Sequence, residues 1–211
     1  MGDEYQRAAE LGLHTANCHL GELYIQGKGV EQDAARGVAL CEKAAAKDSV
    51  PAMLKLGRLH LMHAELRNEQ TALNWYASAA SYQSAEAQYQ LGVMLRDGIG
   101  IAQDAVVSQQ WFEAAAGQGY QPAYFENARL LYAAPKNPAT GLWHEEDLAK
   151  AYLWLSASLR TSDDDEIKAQ SRDMLNQVLK VMPQSWVGDL DSKVDAHLKQ
   201  FNSETATTPA S

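Results

Sequence analysis

A dipeptide that returns at a near-constant interval constrains this chain more than any other feature. Leu20-Gly21, Leu56-Gly57 and Leu91-Gly92 are separated by 36 and 35 residues. Leu40, Trp75 and Trp111 keep the same step, as do Ala44, Ala79 and Ala115. The loop Gly27-Lys28-Gly29-Val30-Glu31-Gln32-Asp33 returns as Gly98-Ile99-Gly100-Ile101-Ala102-Gln103-Asp104, 71 residues on. A period of about 30 to 50 residues marks a helical repeat array, because one helix pair cannot bury its apolar face alone and must stack on neighbours.

Within one period, Ala85 to Gly119 reads as two short amphipathic helices back to back. Ala87, Leu91, Met94 and Leu95 form one face of a 3.6-residue period. Gly98 and Gly100 interrupt it, since glycine reaches positive φ without a Cβ clash, and Asp104 is placed to cap the second helix. The spacing predicts helix pairs at 14–26 and 33–47, 50–63 and 68–81, and 85–97 and 104–118. In the second pair His63-Ala64-Glu65 replaces the glycine loop and one residue is lost. A fourth pair begins at Pro122-Ala123, with Asn127-Ala128 in the Leu-Gly place and its second helix recovered at Ala151 to Trp154. Its inter-helix loop gains about seven residues across 134–143, where Pro135, Pro138 and Gly141 favour irregular backbone, and it reads as a tolerated insertion. The small residues at the Leu-Gly step and the paired alanines let helices approach closely.

From Ala16 to Asp33 the chain carries Ala-x3-Leu-Gly-x2-Tyr-x2-Gly-x-Gly-Val-x2-Asp, and Trp111 to Gly119 reads Trp-Phe-x-Ala-Ala-Ala-x-x-Gly. This pattern resembles the Sel1-like repeat (SLR) family, a relative of the tetratricopeptide repeats. The resemblance implies an all-α fold, a right-handed α-solenoid of antiparallel helix pairs that serves as a protein-binding scaffold. It implies repeats over 3–160, divided as a half repeat at 3–13 and units at 14–49, 50–84, 85–120 and 121–160. Capping helices would follow at 162–201 and a disordered tail at 202–211. Family members often act as adaptors at the bacterial cell envelope, which favours a periplasmic setting and leaves a cytoplasmic one open.

Tyr5 to Gly12 aligns without gaps on Phe112 to Gly119, as a second helix whose first helix is missing. The expectation is a fragment of a longer protein, with Met1-Gly2 as an added start, so the lack of a signal peptide is uninformative. After Ser162 the repeat gives way. Asp163 to Asp165 suit a helix N-terminus, Met174, Leu175, Val178, Leu179 and Met182 form an apolar face, and Pro183 restarts the chain for a last helix over 184–201.

The formal charge of −9 argues against nucleic acid as a partner. No apolar run approaches the roughly 18 residues of a membrane span. Cys18 and Cys41 fall on the two helices of one pair, where the other units place Leu54, Tyr89 and Phe125, or Tyr76 and Phe112. They therefore read as small buried apolar side chains, with a disulfide left open. Some relatives of the repeat are disulfide-stapled at regular places in every unit, a pattern that one pair does not reproduce.

Little here suggests catalysis or cofactor chemistry. The Gly-x-Gly loops lack the Lys-Ser/Thr and preceding strand of a phosphate cradle and read as turns. His60 and His63, three apart and near Glu65, occupy an apolar repeat position and the loop-glycine position, so a metal site is not expected. No nucleophile is paired with a base in any recognisable motif. The positive expectation is the concave face lined by the first helices. Counted from the Leu-Gly step, Leu54, Tyr89 and Phe125 form an apolar stripe, with Arg58, Arg96 and Arg129 beside it and Met62, Val93 and Tyr132 completing the surface. The same count turns Cys18, Glu22, Ile25 and Gln26 inward. Aromatic groups flanked by arginines suit a protein or peptide with acidic and apolar groups. Self-association through the N-terminal end is the alternative, as is a regulatory domain of a larger enzyme.

Overall fold

The computed structural model describes residues 14–205. The half repeat expected at 3–13 lies outside them, as do residues 206–211 of the tail. Among the described residues the fold is all-α: α1 (His14–Gln26), α2 (Ala34–Ala45), α3 (Val50–Met62), α4 (Glu69–Ser81), α5 (Ala85–Asp97), α6 (Ala105–Gly117), α7 (Gln121–Ala133), α8 (Glu145–Thr161), α9 (Asp165–Val181), a 3-10 turn (Gln184–Trp186) and α10 (Val187–Thr205). The chain divides after Gln103 into two compact units.

Short polar side chains start these helices. Asp33 accepts from the Arg36 N–H at 2.9 Å, Asn68 from Thr71 at 2.9 Å, and Ser84 from Ala87 at 3.3 Å. Asp104 accepts from both Val106 and Val107, at 3.0 and 2.9 Å, as its sequence position predicts. Each such cap is worth about 1 kcal/mol. Proline in the first turn of α3 and of α7 uses a position whose N–H has no intrahelical acceptor.

The second helices of the repeats share one ending. Ser49, Ser84 and Tyr120 donate backbone N–H groups to Ala44, Ala79 and Ala115, five residues back. Asp48, Gln83 and Gly119 donate to Ala45, Ala80 and Ala116, three residues back. This double closure requires a left-handed residue at the second position. Asp48 and Gln83 adopt φ of 59° and 60°, and Gly119 adopts 81°. Only the last of the three has no Cβ to strain.

In the first unit, α1 packs on α2, α3 on α4, and α1 also lies against α3. The α1–α2 pair is held at backbone contact. A Cβ on Gly21 would stand 2.5 Å from the Gly37 carbonyl oxygen, and one on Gly37 would stand 2.5 Å from the Gly21 oxygen and from Ile25. At this approach Cys18 and Cys41, 4.1 Å apart at Cα, form a disulfide. The sequence favoured two buried thiols and left the bridge open. The helices here come so close because the site holds small sulfur side chains where the other pairs hold Leu, Tyr or Phe. Cys18 and Ile25, counted toward the concave surface, instead face α2. In the α3–α4 pair the same geometry is met differently: the Tyr76 ring lies on Gly57, where a Cβ would fall 2.8 Å from it.

The shortened loop after α3 is held by His60. Its Nδ1–H donates to the Leu66 carbonyl at 2.8 Å, while the His60 carbonyl accepts from Asn68 at 2.8 Å. This contact replaces the two glycines of the regular loops, which sit at positive φ at Gly27, Gly29, Gly98 and Gly100.

In the second unit α8 is central and packs against α7, α9 and α10. Leu148, Tyr152 and Leu155 meet Leu131, Val178, Met182 and Leu190 in one core, with Met174, Leu175 and Leu179 packed partly against it. Asp164 caps α9 by accepting from Glu166 and Ile167 at 2.8 and 3.1 Å. The last helix returns across the unit. Phe201 covers Gly119, where a Cβ would meet the ring at 2.3 Å. His197 packs among Tyr124, Trp154 and Phe201, at centroid distances of 5.5, 5.2 and 5.0 Å. Its Nε2 lies 3.0 Å from the Tyr124 hydroxyl, and the imidazole also bonds to the Ala116 backbone. Burial pushes the Tyr124 phenol up to about 12 and His197 below its usual value. The helix runs to Thr205, past the boundary at 201 read from the sequence.

Three measurements check this account. Replacing Gln83, an exposed left-handed residue, with Gly relieves about 1 kcal/mol of backbone strain and raises Tm by a few degrees in calorimetry. Reducing the Cys18–Cys41 bridge, which closes a loop of 23 residues, costs about 3 kcal/mol in chemical denaturation and speeds amide exchange first in α1. His197, with a lowered folded pKa, contributes stability that is complete above about pH 6.5 and lost as pH falls through its folded value. Acid therefore loosens α10 before the rest of the unit, and His197→Phe removes that pH dependence in hydrogen exchange.

Candidate partner-binding faces

Between α1 and α3 in the first unit opens a cleft of about 270 Å³, lined by Glu22, Gln26, Lys55, Arg58, Leu59, Met62 and His63. Leu59 and Met62 are its apolar lining, and its charged side chains, Glu22, Lys55 and Arg58, each have an ion-pair partner. Lys55 reaches Glu22 at 2.5 Å, joining α3 to α1, and Arg58 reaches Glu86 at 2.7 Å, joining α3 to α5. Ion pairs this exposed contribute about 0–1 kcal/mol to stability. Their larger effect is to hold long side chains extended along the rim. Met62 is 79% exposed at the edge of the cleft, and the His63 Nδ1 beside it is buried with no hydrogen-bond partner.

The sequence-selected residues divide accordingly. Arg58 and Met62 share this cleft with Glu22 and Gln26, while Leu54, Tyr89 and Val93 are half-buried on α3 and α5. Arg96 forks onto the neighbouring Asp97 with two contacts of 2.7 Å. In the second unit Arg129 pairs with Glu126 at 2.7 Å, one turn back on α7. All three arginines thus have a carboxylate beside them. Phe125 is only 8% exposed and is a core side chain. Tyr132 lies 5.2 Å from the Trp143 ring, and its carbonyl accepts from Trp143 Nε1 at 3.0 Å. The Lys136 ammonium sits over the Trp143 ring, 4.2 Å from its centroid. The 134–143 insertion therefore folds back and covers part of the surface that Tyr132 would have offered.

Sequence reasoning missed Lys55, Leu59, His63, Lys136 and Trp143. A tryptophan inside a Pro- and Gly-containing loop was the available signal, since so large an apolar ring seldom stays in water. The Glu22–Lys55 pairing had no local signal, because its partners are brought together only by stacking of two first helices. Among the described residues no cluster of three or more His, Cys, Asp or Glu is arranged to hold a metal ion. No helix among them is long and apolar enough to cross a membrane.

The Sel1 repeat matches three times, at residues 14–49, 50–81 and 85–120. The chain is a Sel1-repeat protein. These matched segments coincide with α1–α2, α3–α4 and α5–α6, and α7–α8 adds a helix pair whose sequence departs from the repeat. Sel1 repeats are protein-interaction scaffolds. The chain is 35% identical over 123 residues to chitin synthase regulatory factor 3 of Schizosaccharomyces pombe, covering 56% of this chain and 13% of that protein. It is 32% identical over 117 residues to the chitin synthase regulator SKT5 of Saccharomyces cerevisiae, covering 54% of this chain and 17% of that protein. It thus spans a small part of either relative. Among solved structures, c5321, a protective antigen of uropathogenic Escherichia coli with an SLR fold, aligns over all of this chain and 44% of its own at TM-score 0.70 and 21% identity, a likeness of fold alone. A Sel1 repeat protein from Oxalobacter formigenes aligns over 60% of this chain and 96% of its own at TM-score 0.52 and 29% identity.

Proposed function

We propose that this Sel1-repeat chain is a non-catalytic interaction module that holds a segment of a partner protein in the α1–α3 cleft of its first unit. The observation that carries this reading is Met62, a large apolar side chain left 79% exposed on a cleft that Leu59 also lines. An exposed thioether beside a cleft is an adaptable contact, because an unbranched side chain can reshape around different apolar groups. Leu54, Tyr89 and Val93 extend the same unit's surface beyond the cleft, and the Arg129–Tyr132 region of the second unit is a separate, smaller candidate.

The names of the two fungal relatives, both regulators of chitin synthase, support a regulatory role in which the partner is itself an enzyme. The Cys18–Cys41 bridge supports a setting outside the reducing cytoplasm, in the envelope or beyond, because such bonds persist where thiols are oxidised.

The test compares the parent chain with Met62→Glu and Gln26→Glu in affinity capture from the native lysate, once circular dichroism shows equal helix content. A partner retained by the parent and reduced at least tenfold by either variant is the expected result. Equal recovery by all three proteins would move the binding surface elsewhere.

A further inference from the structure

A second hollow, of about 300 Å³, lies next to the α1–α3 cleft and shares Arg58 and Met62 with it. It sits where the loop after α3 is one residue shorter than its counterparts and lacks their glycines. Opposite, the regular loop of the next repeat leans on the start of α4, with Gly100 so close to the Glu69 backbone that a Cβ there would fall at 2.9 Å. From the short loop Arg67 reaches the hollow, and from the regular loop Ile99 does.

The charge of this hollow differs from that of the cleft. Arg58 and Arg67 both line it, together with Leu61, Met62, Gln90 and Ile99, and no lining residue is acidic. On a chain of net charge −9, two guanidinium groups on one small hollow form a local exception. Each makes one ion pair, Arg58 to Glu86 and Arg67 to Glu69, through a single Nη2 contact, and their side chains stay 58% and 64% exposed. A guanidinium carries five N–H donors, so both retain donors for a second anion.

We infer that this hollow receives a carboxylate side chain of the partner segment, flanked by an apolar residue. The inference rests on the reading of the α1–α3 cleft as the partner's seat. Because the two clefts share Arg58 and Met62, a segment lying in the first continues past Met62 into the second. It then places an internal acidic residue between Arg58 and Arg67, with its apolar neighbour on Leu61 and Ile99. The Gln90 amide is available to a main-chain group of the same segment. The short loop thereby acquires a purpose: it supplies Arg67 to the hollow.

The probes are two capped peptides, acetyl-Leu-Ala-Glu-Ala-Leu-amide and its Glu→Gln counterpart, titrated into the isotopically labelled full chain and followed by NMR. The Glu peptide is expected to give saturable shifts at Arg67, Gln90 and Ile99, and the Gln peptide to bind about tenfold more weakly. Arg67 lines the hollow and not the α1–α3 cleft. Arg67→Gln should therefore erase the preference for Glu while leaving shifts at Gln26 and Leu59 in place. Equal binding of both peptides, an undiminished Glu preference in Arg67→Gln, or no saturable shift at Arg67 and Gln90 would each overturn the inference. The first two of these, with shifts retained at Gln26, would leave the cleft reading standing. Loss of shifts at Gln26 in the parent chain would count against the cleft itself.

Discussion

How closely two helices of a repeat can approach decides most of what this fold presents to solvent. In the first two pairs the helices meet at a glycine, and the partner helix must then fill or close the space left. At Gly21 and Gly37 the space is closed: two backbones touch, and a disulfide of small volume bridges the contact. At Gly57 it is filled by the flat face of Tyr76. Both arrangements answer the same packing demand, one through a covalent link and the other through aromatic burial. The cleft between α1 and α3 opens between one pair of each kind.

Electrostatics then acts locally on this frame. The chain is strongly acidic as a whole, yet the rim of the cleft consists of matched pairs, Glu22 with Lys55 and Arg58 with Glu86. A partner arriving there meets little net field at distances beyond roughly the 8 Å Debye length of physiological salt. On the proposed reading, recognition in the cleft would rest on shape and apolar contact. The two arginines of the neighbouring hollow, Arg58 and Arg67, are likewise each matched by one carboxylate, through a single Nη2 contact that leaves other guanidinium donors exposed.

Departures from the repeat are where individuality enters. His60 takes over from the missing loop glycines with one side-chain hydrogen bond, and Arg67 of the same loop lines the hollow beside Met62. The insertion at 134–143 does the opposite, laying Trp143 on Tyr132 and closing a surface. The shortened loop thus borders a recess, whereas the longer insertion covers a surface.

Helix extents, caps and the helix-pair order were legible in the sequence because they depend on neighbours within a few positions. Asp104 caps α6, Met182 and Val178 are buried, and the Gly-x-Gly loops turn at positive φ, each for a local reason. The repeat period fixed which helices face one another, and so brought Arg58, Met62, Glu22 and Gln26 to one cleft. Distance in space decided the rest. Whether Cys18 and Cys41 bond depends on how far two backbones approach. Whether Phe125 is an anchor or a core residue depends on what packs over it. Which arginine keeps donors free depends on where the nearest carboxylate lies, and that is set by the stacking of separate helices. The periodic sequence determined the scaffold; only tertiary contact decided which of its side chains remain available to a partner.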